Sequence, residues 1–517
     1  MTSLQDRARA LSVNRLRGMR RGIEKESLRA QPGGALALTP HPAALGSALT
    51  HPSITTDFSE SQLELITGAH GDVDACLNEL RDIHRFVYHT LRAAGDEMLW
   101  VSSMPCGLPT DETIPIARYG NSNVGRAKSV YRTGLSFRYG KRMQTISGIH
   151  YNWSLPGVTS DEYFALIRNF RRQAFLLMTL FGASPAVCST FVEGREHTLQ
   201  ALGSGGSLYL PHATTLRMGR LGYQSDAQTA LAVSYNSLEG YAASLHGAMT
   251  RPYPPYEAIG VRNPGGEYNQ LATTLLQIEN EFYGTIRPKR VIRRGERPLH
   301  ALRERGVEYV EVRLMDLDPF EPVGINAQTM RFLDVFLLHC LLTDSAPDTP
   351  SEIAALGRNQ QRTAAMGRAP GLRLERGAGE IALADWGADI LEQCAPIAAR
   401  LDAALGSGAG ADSRPDTYVA AVAAARDALA HPDRLPSARV LTTIRGEHDN
   451  SFVRFVRAQS QQTQQQFLAS ALEPAQQAAF EAQTAASIAA QRDIEAAESV
   501  PFEAYRQHYI DATRLVV

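Results

Sequence analysis

Four short segments space their carboxylates so that a β-strand would aim them one way. Glu24 and Glu26 stand two apart in Gly-Ile-Glu-Lys-Glu (22–26), and alternate residues of a strand share a face. Glu308-Tyr-Val-Glu-Val-Arg-Leu314 sets Val310, Val312 and Leu314 against Glu311 and Arg313. Gln62-Leu-Glu-Leu-Ile66 puts Glu64 in an apolar run, and Leu276-Gln-Ile-Glu-Asn-Glu-Phe282 aligns Gln277, Glu279 and Glu281. Between them, Met-Gln-Thr-Ile-Ser-Gly-Ile-His-Tyr-Asn-Trp-Ser-Leu (143–155) has an apolar face of Ile149, Tyr151, Trp153 and Leu155. Its polar face is Gln144, Gly148, His150, Asn152 and Ser154.

Any one of these alone matches a half-exposed antiparallel strand with a solvated face. Four acidic strands in one sheet are different, because like charges on a common face repel unless cations join them. Carboxylate oxygens suit hard divalent cations, and one His among them fits Mg²⁺ or Mn²⁺ better than Zn²⁺. His150 by itself fits a hydrogen-bonded core residue equally well.

Positioning such groups needs a large scaffold, and 517 residues allow one. Hydrophobic content of 44%, charged content of 21% and a net charge of −2 describe a globular chain with no bias toward nucleic acid or anionic membranes. No apolar run nears the roughly 20 residues of a membrane span, and no signal peptide is visible, so a cytoplasmic location is expected. Cys76, Cys106, Cys188, Cys340 and Cys394 form neither a CxxC motif nor a disulfide framework. Reduced thiols are expected, and none has a nearby His to activate it.

Residues 4–20 read as a short basic helix and 31–56 as loops. Apolar stripes predict helices over 72–94 (Asp72 as N-cap), 161–182 and 328–343. Strands with helices clustered between them make the fold class α+β. The last 130 residues are Ala-rich and read as helical, interrupted by a Gly-rich loop at 406–415; residues 457–497 form one polar helix or a hairpin. The expected division is a catalytic core over 1–345 and a helical region over 346–517, packed as one unit.

Residues 118–142 hold seven Arg or Lys and no acid, with Tyr119, Tyr131, Phe137 and Tyr139 among them. A second basic run, Arg287-Pro-Lys-Arg-Val-Ile-Arg-Arg294, follows the 276–282 segment. Such runs could bind nucleic acid, lie solvated, or clamp a polyphosphate over the acidic face. The acidic context favours flexible, glycine-bearing clamps, with Lys289, Arg290 and Asn152 as phosphate contacts. There is no P-loop sequence, and Gly203–Ser207 is only a turn.

Arg-Gly-Ile-Glu-Lys-Glu (21–26), Thr-Thr-Asp-Phe (55–58), Met-Gln-Thr-Ile-Ser-Gly-Ile-His-Tyr-Asn (143–152), Arg-Pro-Lys-Arg (287–290) and Tyr-Val-Glu-Val-Arg (309–313) closely resemble the proteobacterial glutamate–cysteine ligases, also called γ-glutamylcysteine synthetases. The resemblance is dense over 18–345 and thins beyond. It implies a glutamine-synthetase-like, curved, mostly antiparallel sheet forming a funnel, with helices outside. It implies ATP-dependent joining of the L-glutamate γ-carboxylate to the L-cysteine amine through γ-glutamyl phosphate, the first step of glutathione synthesis. The metal ligands it implies are Glu24, Glu26, Asp57, Glu64, His150 and Glu311, holding Mg²⁺ with Mn²⁺ as substitute. Arg313 matches an arginine near the transferred phosphoryl group, and with Glu311 is the expected catalytic pair. Arg217, Tyr223, Tyr131, Gln144 and Tyr283 match residues near the cysteine site.

Small-molecule substrates, no nucleic acid, no membrane and a monomeric chain are the expected partnerships. A ligase of the same fold using another amine is the nearest alternative; a nucleic-acid-binding scaffold is the remote one. A second ligase domain is not expected. Some family members pair the cysteine matching Cys106 with one in an insertion after the His150 strand. This chain is shorter there, so that disulfide is expected to be absent.

Overall fold

The computed structural model describes residues 4–222, 226–229, 231–293, 295–406 and 417–511. Its centre is a seven-stranded antiparallel sheet. The strands are β1 (Arg20–Ala30), β2 (Ile54–Thr56), β3 (Gln62–Ile66), β4 (Met98–Leu99) and β5 (Ile149–Ser154). After β6 (Ala186–Cys188), β7 (Gln200–Ala201) and β8 (Ser207–Tyr209), which make a separate small sheet, come β9 (Ile286–Lys289) and β10 (Tyr309–Met315). A hairpin, β11 (Arg373–Arg376) with β12 (Gly379–Ala382), completes the set among the described residues. The main order is β2-β3-β1-β5-β10-β9, with β4 pairing the far end of β1.

The alternation read from the sequence fixes the sheet's two faces. Ile149, Tyr151 and Trp153 are at most 1% exposed, and they join Ile23, Val310 and Val312 in one hydrophobic core. Helices Val73–Ala94, Ser160–Phe181 and Ala327–Leu342 contribute Leu80, Phe170 and Phe336 to that core. Asp72 caps the first of these as expected, its side chain accepting from the Ala75 amide. A Thr159–Glu162 capping box starts the second. Lys25 points into this face and is met by His84, 2.8 Å away.

Buried polar links lock the core side together. Arg21 pairs with Asp334 at 2.9 Å, and Asp334 also accepts from the Tyr151 and Tyr418 hydroxyls. One cluster thus ties β1, β5 and the Ala327–Leu342 helix to the Tyr418–Ala430 helix. The same hydrophobic core runs from Ala8 to Leu472, so apolar residues on both sides of 345 share it.

Several expectations are corrected. Residues 4–20 form two short helices, Leu4–Ala10 and Val13–Arg17, followed by the start of β1. Gln144 ends a helical turn, Lys141–Gln144, and β5 begins only at Ile149. The 276–282 segment is no strand: Glu279–Glu281 is a 3₁₀ turn, because each acid turns inward to a buried arginine, Glu279 to Arg297 and Glu281 to Arg138. The basic stretch at 118–142 is not a set of flexible loops but largely one helix, Asn123–Tyr139. Its glycines serve close packing, since a Cβ at Gly125 would strike the Tyr119 carbonyl and one at Gly134 the Gln277 amide. Two helices, Phe452–Leu468 and Pro474–Ala496, occupy 457–497 in place of one, while the glycine-rich loop lies outside the described residues apart from Gly406. Cys106 and Cys188 are bonded, with Cα atoms 5.1 Å apart. The cysteine missing after β5 is replaced by one on β6, so a disulfide is present where none was expected.

Replacing Asp334 with Ala strands the Arg21 guanidinium in the core. The expected loss is about 3–5 kcal/mol of unfolding free energy. It should appear as a lower denaturant midpoint, and a midpoint matching the native protein's would show that the cluster does not hold the sheet.

Candidate active site

The other face of the sheet carries the acids, and strand register lines them up. Glu24 on β1 lies opposite His150 on β5, and Asn152 on β5 lies opposite Glu311 on β10. On the far side of β1, Glu26 lies opposite Glu64 on β3, which lies opposite Thr55 on β2. Glu26, His150 and Glu311 are 3%, 5% and 1% exposed, which rules out a solvated outer face.

At the centre, Glu24, His150 and Glu311 each offer a ligand atom, and those atoms lie within 4.8 Å of one another. His150 Nδ1 is 3.1 Å from Glu24 Oε2 and 3.9 Å from Glu311 Oε1; its Nε2 is 3.7 Å from Glu26 Oε1. Cations frame the group. Lys289 Nζ is 3.0 Å from Glu311 Oε1, and Arg313 Nη1 donates to Glu311 Oε2 at 2.8 Å. The Asn152 amide donates to Glu24 at 2.9 Å and the Gly148 N–H to Glu26 at 2.8 Å. Asp57, just past β2, holds its backbone carbonyl to the Tyr119 hydroxyl and Arg132.

These surroundings split the carboxylates. Burial alone would raise Glu24 and Glu311, but His150 and Lys289 for the first, and Lys289 and Arg313 for the second, hold both below the usual carboxylate range. Burial raises Glu64 well above that range, and Glu24, Asp57 and Glu26 push it further; burial and Asp57 raise Glu26. Burial and Arg313 lower His150, favouring a neutral ring with a lone pair free to ligate. The donor set is oxygen-rich with one nitrogen, which fits Mg²⁺ or Mn²⁺.

Two local devices aim the arginines. The β10–β5 register slips by one residue between Val312 and Met315, so Arg313 sits at a bulge, a feature that re-aims side chains beside active sites. Arg217, from the Leu216–Met218 turn, passes over Gly148, where any Cβ would collide with its guanidinium. It donates to the Arg313 carbonyl at 2.8 Å. Arg217, Tyr283 and Arg313 share a small cleft with Met218, Gly284, Thr285 and Gln360. Gln144 donates to the Tyr283 hydroxyl at 2.8 Å, and burial, Glu281 and Tyr283 raise the half-buried Tyr131 phenol.

A family model for glutamate–cysteine ligase matches residues 4–159 and 156–363. The glutamate–cysteine ligase of Janthinobacterium sp. (strain Marseille) is 49% identical over 512 residues, 96% of this chain and 94% of that protein. The chain belongs to the glutamate–cysteine ligase family. The Azotobacter vinelandii (strain DJ / ATCC BAA-1303) ligase is 48% identical over 515 residues, again 96% and 94% of the two chains. The crystal structure of the Francisella tularensis ligase in complex with AMP superposes with TM-score 0.89 at 36% identity, covering 96% of this chain and 98% of that one. A bifunctional glutathione synthetase from Pasteurella multocida gives TM-score 0.68 at 27% identity, and this chain spans 53% of it. The fold is that of these ligases.

Other expected residues are placed as follows. Lys289 faces the acids, whereas Arg290, next along the chain, is turned to the Arg305 and Gly306 carbonyls and to Glu308. Arg138, in the basic stretch, is spent on Glu281 and Gln270 and is not a phosphate clamp. Tyr223 lies outside the described residues. Sequence reasoning missed Arg132, Gly148 as a spacer for Arg217, and Gln360, which reaches the cleft from the Pro350–Met366 helix. Only the break in alternation at Gly148 could have signalled its role.

Gly148→Ala should therefore displace Arg217 while leaving the apolar face intact. We expect activity to fall on the order of a hundredfold, with a melting temperature close to the native value. Unchanged activity would mean that Arg217 tolerates another path.

Proposed function

We propose that this chain joins the γ-carboxylate of L-glutamate to the amine of L-cysteine at the expense of ATP, giving γ-glutamylcysteine, the first step of glutathione synthesis. Family membership over nearly the whole chain supports the reaction, and the AMP complex of the Francisella relative supports a nucleotide at this fold. The observation that carries the site is the convergence of Glu24, His150 and Glu311 within 4.8 Å on three adjacent strands, with Arg313 against Glu311.

The chemistry follows from charge. A carboxylate is a poor acylating agent, so a γ-carboxylate oxygen first takes the ATP γ-phosphoryl group with release of ADP; the neutral cysteine amine then attacks the carbonyl carbon, phosphate leaves, and the nitrogen loses a proton. Glu24, His150 and Glu311, with Glu26, Glu64 and Asp57 beside them, are the residues that would hold Mg²⁺ or Mn²⁺, which when bound lets the nucleotide phosphates and the substrate carboxylate approach without repulsion. Arg313 stabilises the equatorial oxygens in flight, and Lys289 stands ready for a phosphate oxygen while keeping Glu311 ionised. The cleft of Arg217, Tyr283 and Gln360 receives the amino-acid acceptor. No protein nucleophile is needed: burial pushes the Cys76 thiol up to about 11 and raises Cys340 and Cys394, while Cys106 and Cys188 are bonded. We infer a monomer working in the cytoplasm; no described helix is long and apolar enough to cross a membrane.

Phosphate release from ATP should require glutamate, Mg²⁺ and cysteine together. Chelation of the metal should abolish it, and Glu311→Gln should reduce it on the order of a thousandfold. Release that ignores cysteine would point to another amine. Full activity in Glu311→Gln would remove the metal site from this sheet face. A second expectation concerns Arg313→Lys, which keeps the charge but loses the planar fork: kcat should drop far more than KM changes.

A further inference from the structure

Beyond the end of β10 lies a cavity of about 160 Å³. It shares no residue with the Arg217 cleft. Its roof is the turn from Met315 to Asn326; its apolar wall includes Leu180, Phe332, Ala421 and Ala425. The turn is tightly built: the Asp318 amide donates to the Gly324 carbonyl, the Glu321 amide to the Asp318 carbonyl and the Gly324 amide to the Glu321 carbonyl. It presents two carboxylates to the cavity.

Those carboxylates are undercommitted. Among the described residues, Asp318 accepts only the Phe320 amide at 3.0 Å, and Glu321 only the Asn326 side-chain amide at 2.9 Å. Neither forms an ion pair within 4 Å among the described residues. A third acid, Asp316, is by contrast saturated by Ala183, Ser184 and Thr215. The Arg439 guanidinium, which also lines the cavity, lies 4.3 Å over the Phe320 ring, makes no hydrogen bond among the described residues and is near enough to Asp318 to favour its ionised form. Burial, with Glu321 beside it, pushes the Asp318 carboxyl up to about 6, and the Phe320 amide and Arg439 offset only part of that.

A half-buried acid pair beside an apolar wall of alanines is complementary to a positive head on a compact hydrocarbon body. We propose that this cavity is a second ligand site, which takes a small primary ammonium compound with an apolar chain: the ammonium between Asp318 and Glu321, the chain against Ala421, Ala425 and Phe332. The volume is below the roughly 300–1,000 Å³ of sites for drug-sized ligands, so the ligand is of amino-acid size. Two sources share this chemistry, simple amines and apolar amino acids. Arg439, which lines the cavity near Asp318, would add a carboxylate contact for the second.

Isoamylamine, leucine and isovalerate share one branched chain and differ only in their charged groups. In calorimetry with the Mg²⁺-loaded full chain, isoamylamine should saturate one site and raise the melting temperature; isovalerate should do neither. Asp318→Asn should weaken the amine roughly tenfold or more, the weight of one charge-assisted hydrogen bond. Ala425→Leu, which fills the cavity and leaves the charges alone, should abolish binding. Glu311→Gln should leave it unchanged, which separates this site from the substrate site. Each variant's ligand-free melting temperature checks that it folds, and the near-isosteric Asp318→Asn carries the test if Ala425→Leu does not. Leucine binding that Arg439→Ala weakens, with amine binding not weakened, identifies amino acids as the source; leucine binding that Arg439→Ala does not weaken identifies simple amines. No saturable amine binding, or binding undiminished in both Asp318→Asn and Ala425→Leu, overturns the proposal.

Discussion

Like-charge repulsion on one face of the sheet is the constraint around which this molecule is arranged. Glu24, Glu26, Glu64 and Glu311 all project from strands whose reverse side is the hydrophobic core, so none can swing away into water without unravelling its strand. The fold answers with partial compensation. Lys289 and Arg313 come from β9 and β10 themselves, close enough to hold Glu311 and Glu24 ionised. Glu26 and Glu64, farther from those cations, are pushed toward protonation. Crowding of carboxylates that pushes Glu26 and Glu64 toward protonation is the condition that a bound divalent cation relieves.

Holding such a face requires a rigid back. The apolar side of β1, β5 and β10 is packed by three long helices, and that burial already penalises a one-residue slip. Register is pinned by groups with direction: the Arg21–Asp334 pair, the hydroxyls of Tyr151 and Tyr418, and the Lys25–His84 contact. A slip of one residue would turn Glu24 and Glu26 into the core and bring Ile23 and Lys25 out. These buried polar contacts therefore serve position more than stability, since a buried ion pair seldom outperforms an apolar one of equal volume.

The parts of this design that rest on period two were legible in the sequence. β1, β3 and β10 begin within a residue or two of the alternating runs, and the Val73–Ala94, Ser160–Phe181 and Ala327–Leu342 helices follow their apolar stripes. Where alternation misled, tertiary pairing had taken over. Leu276–Phe282 has the pattern of an acidic strand, yet Arg138 and Arg297 draw Glu281 and Glu279 inward and the chain curls into a turn. Gly125 and Gly134 look like points of flexibility, but they are the places where the Asn123–Tyr139 helix touches its neighbours. The Cys106–Cys188 bond joins positions 82 residues apart on different segments, and nothing local to either cysteine announces the other. The bulge that aims Arg313 is equally silent, because it is a property of pairing between strands.

The Ala-rich C-terminal region shows how a site depends on segments that carry no chemistry. The family model stops at residue 363, yet the chain beyond it braces the site's surroundings. Phe502 packs with Ala127, Leu271 and Ile278, and Tyr131 borders that small core. Arg126 lies over the Phe502 ring, Arg506 donates to the Leu271 carbonyl, and Asn123 donates to the Val500 carbonyl. The helix bearing Tyr131 and Arg132 is thereby held from its outer side, opposite the acids. Most of these contacts use backbone carbonyls or small apolar surfaces, which many side chains can supply. Phe502 and Arg506 do the bracing by their side chains, while the alanines around them supply helix propensity at little bulk.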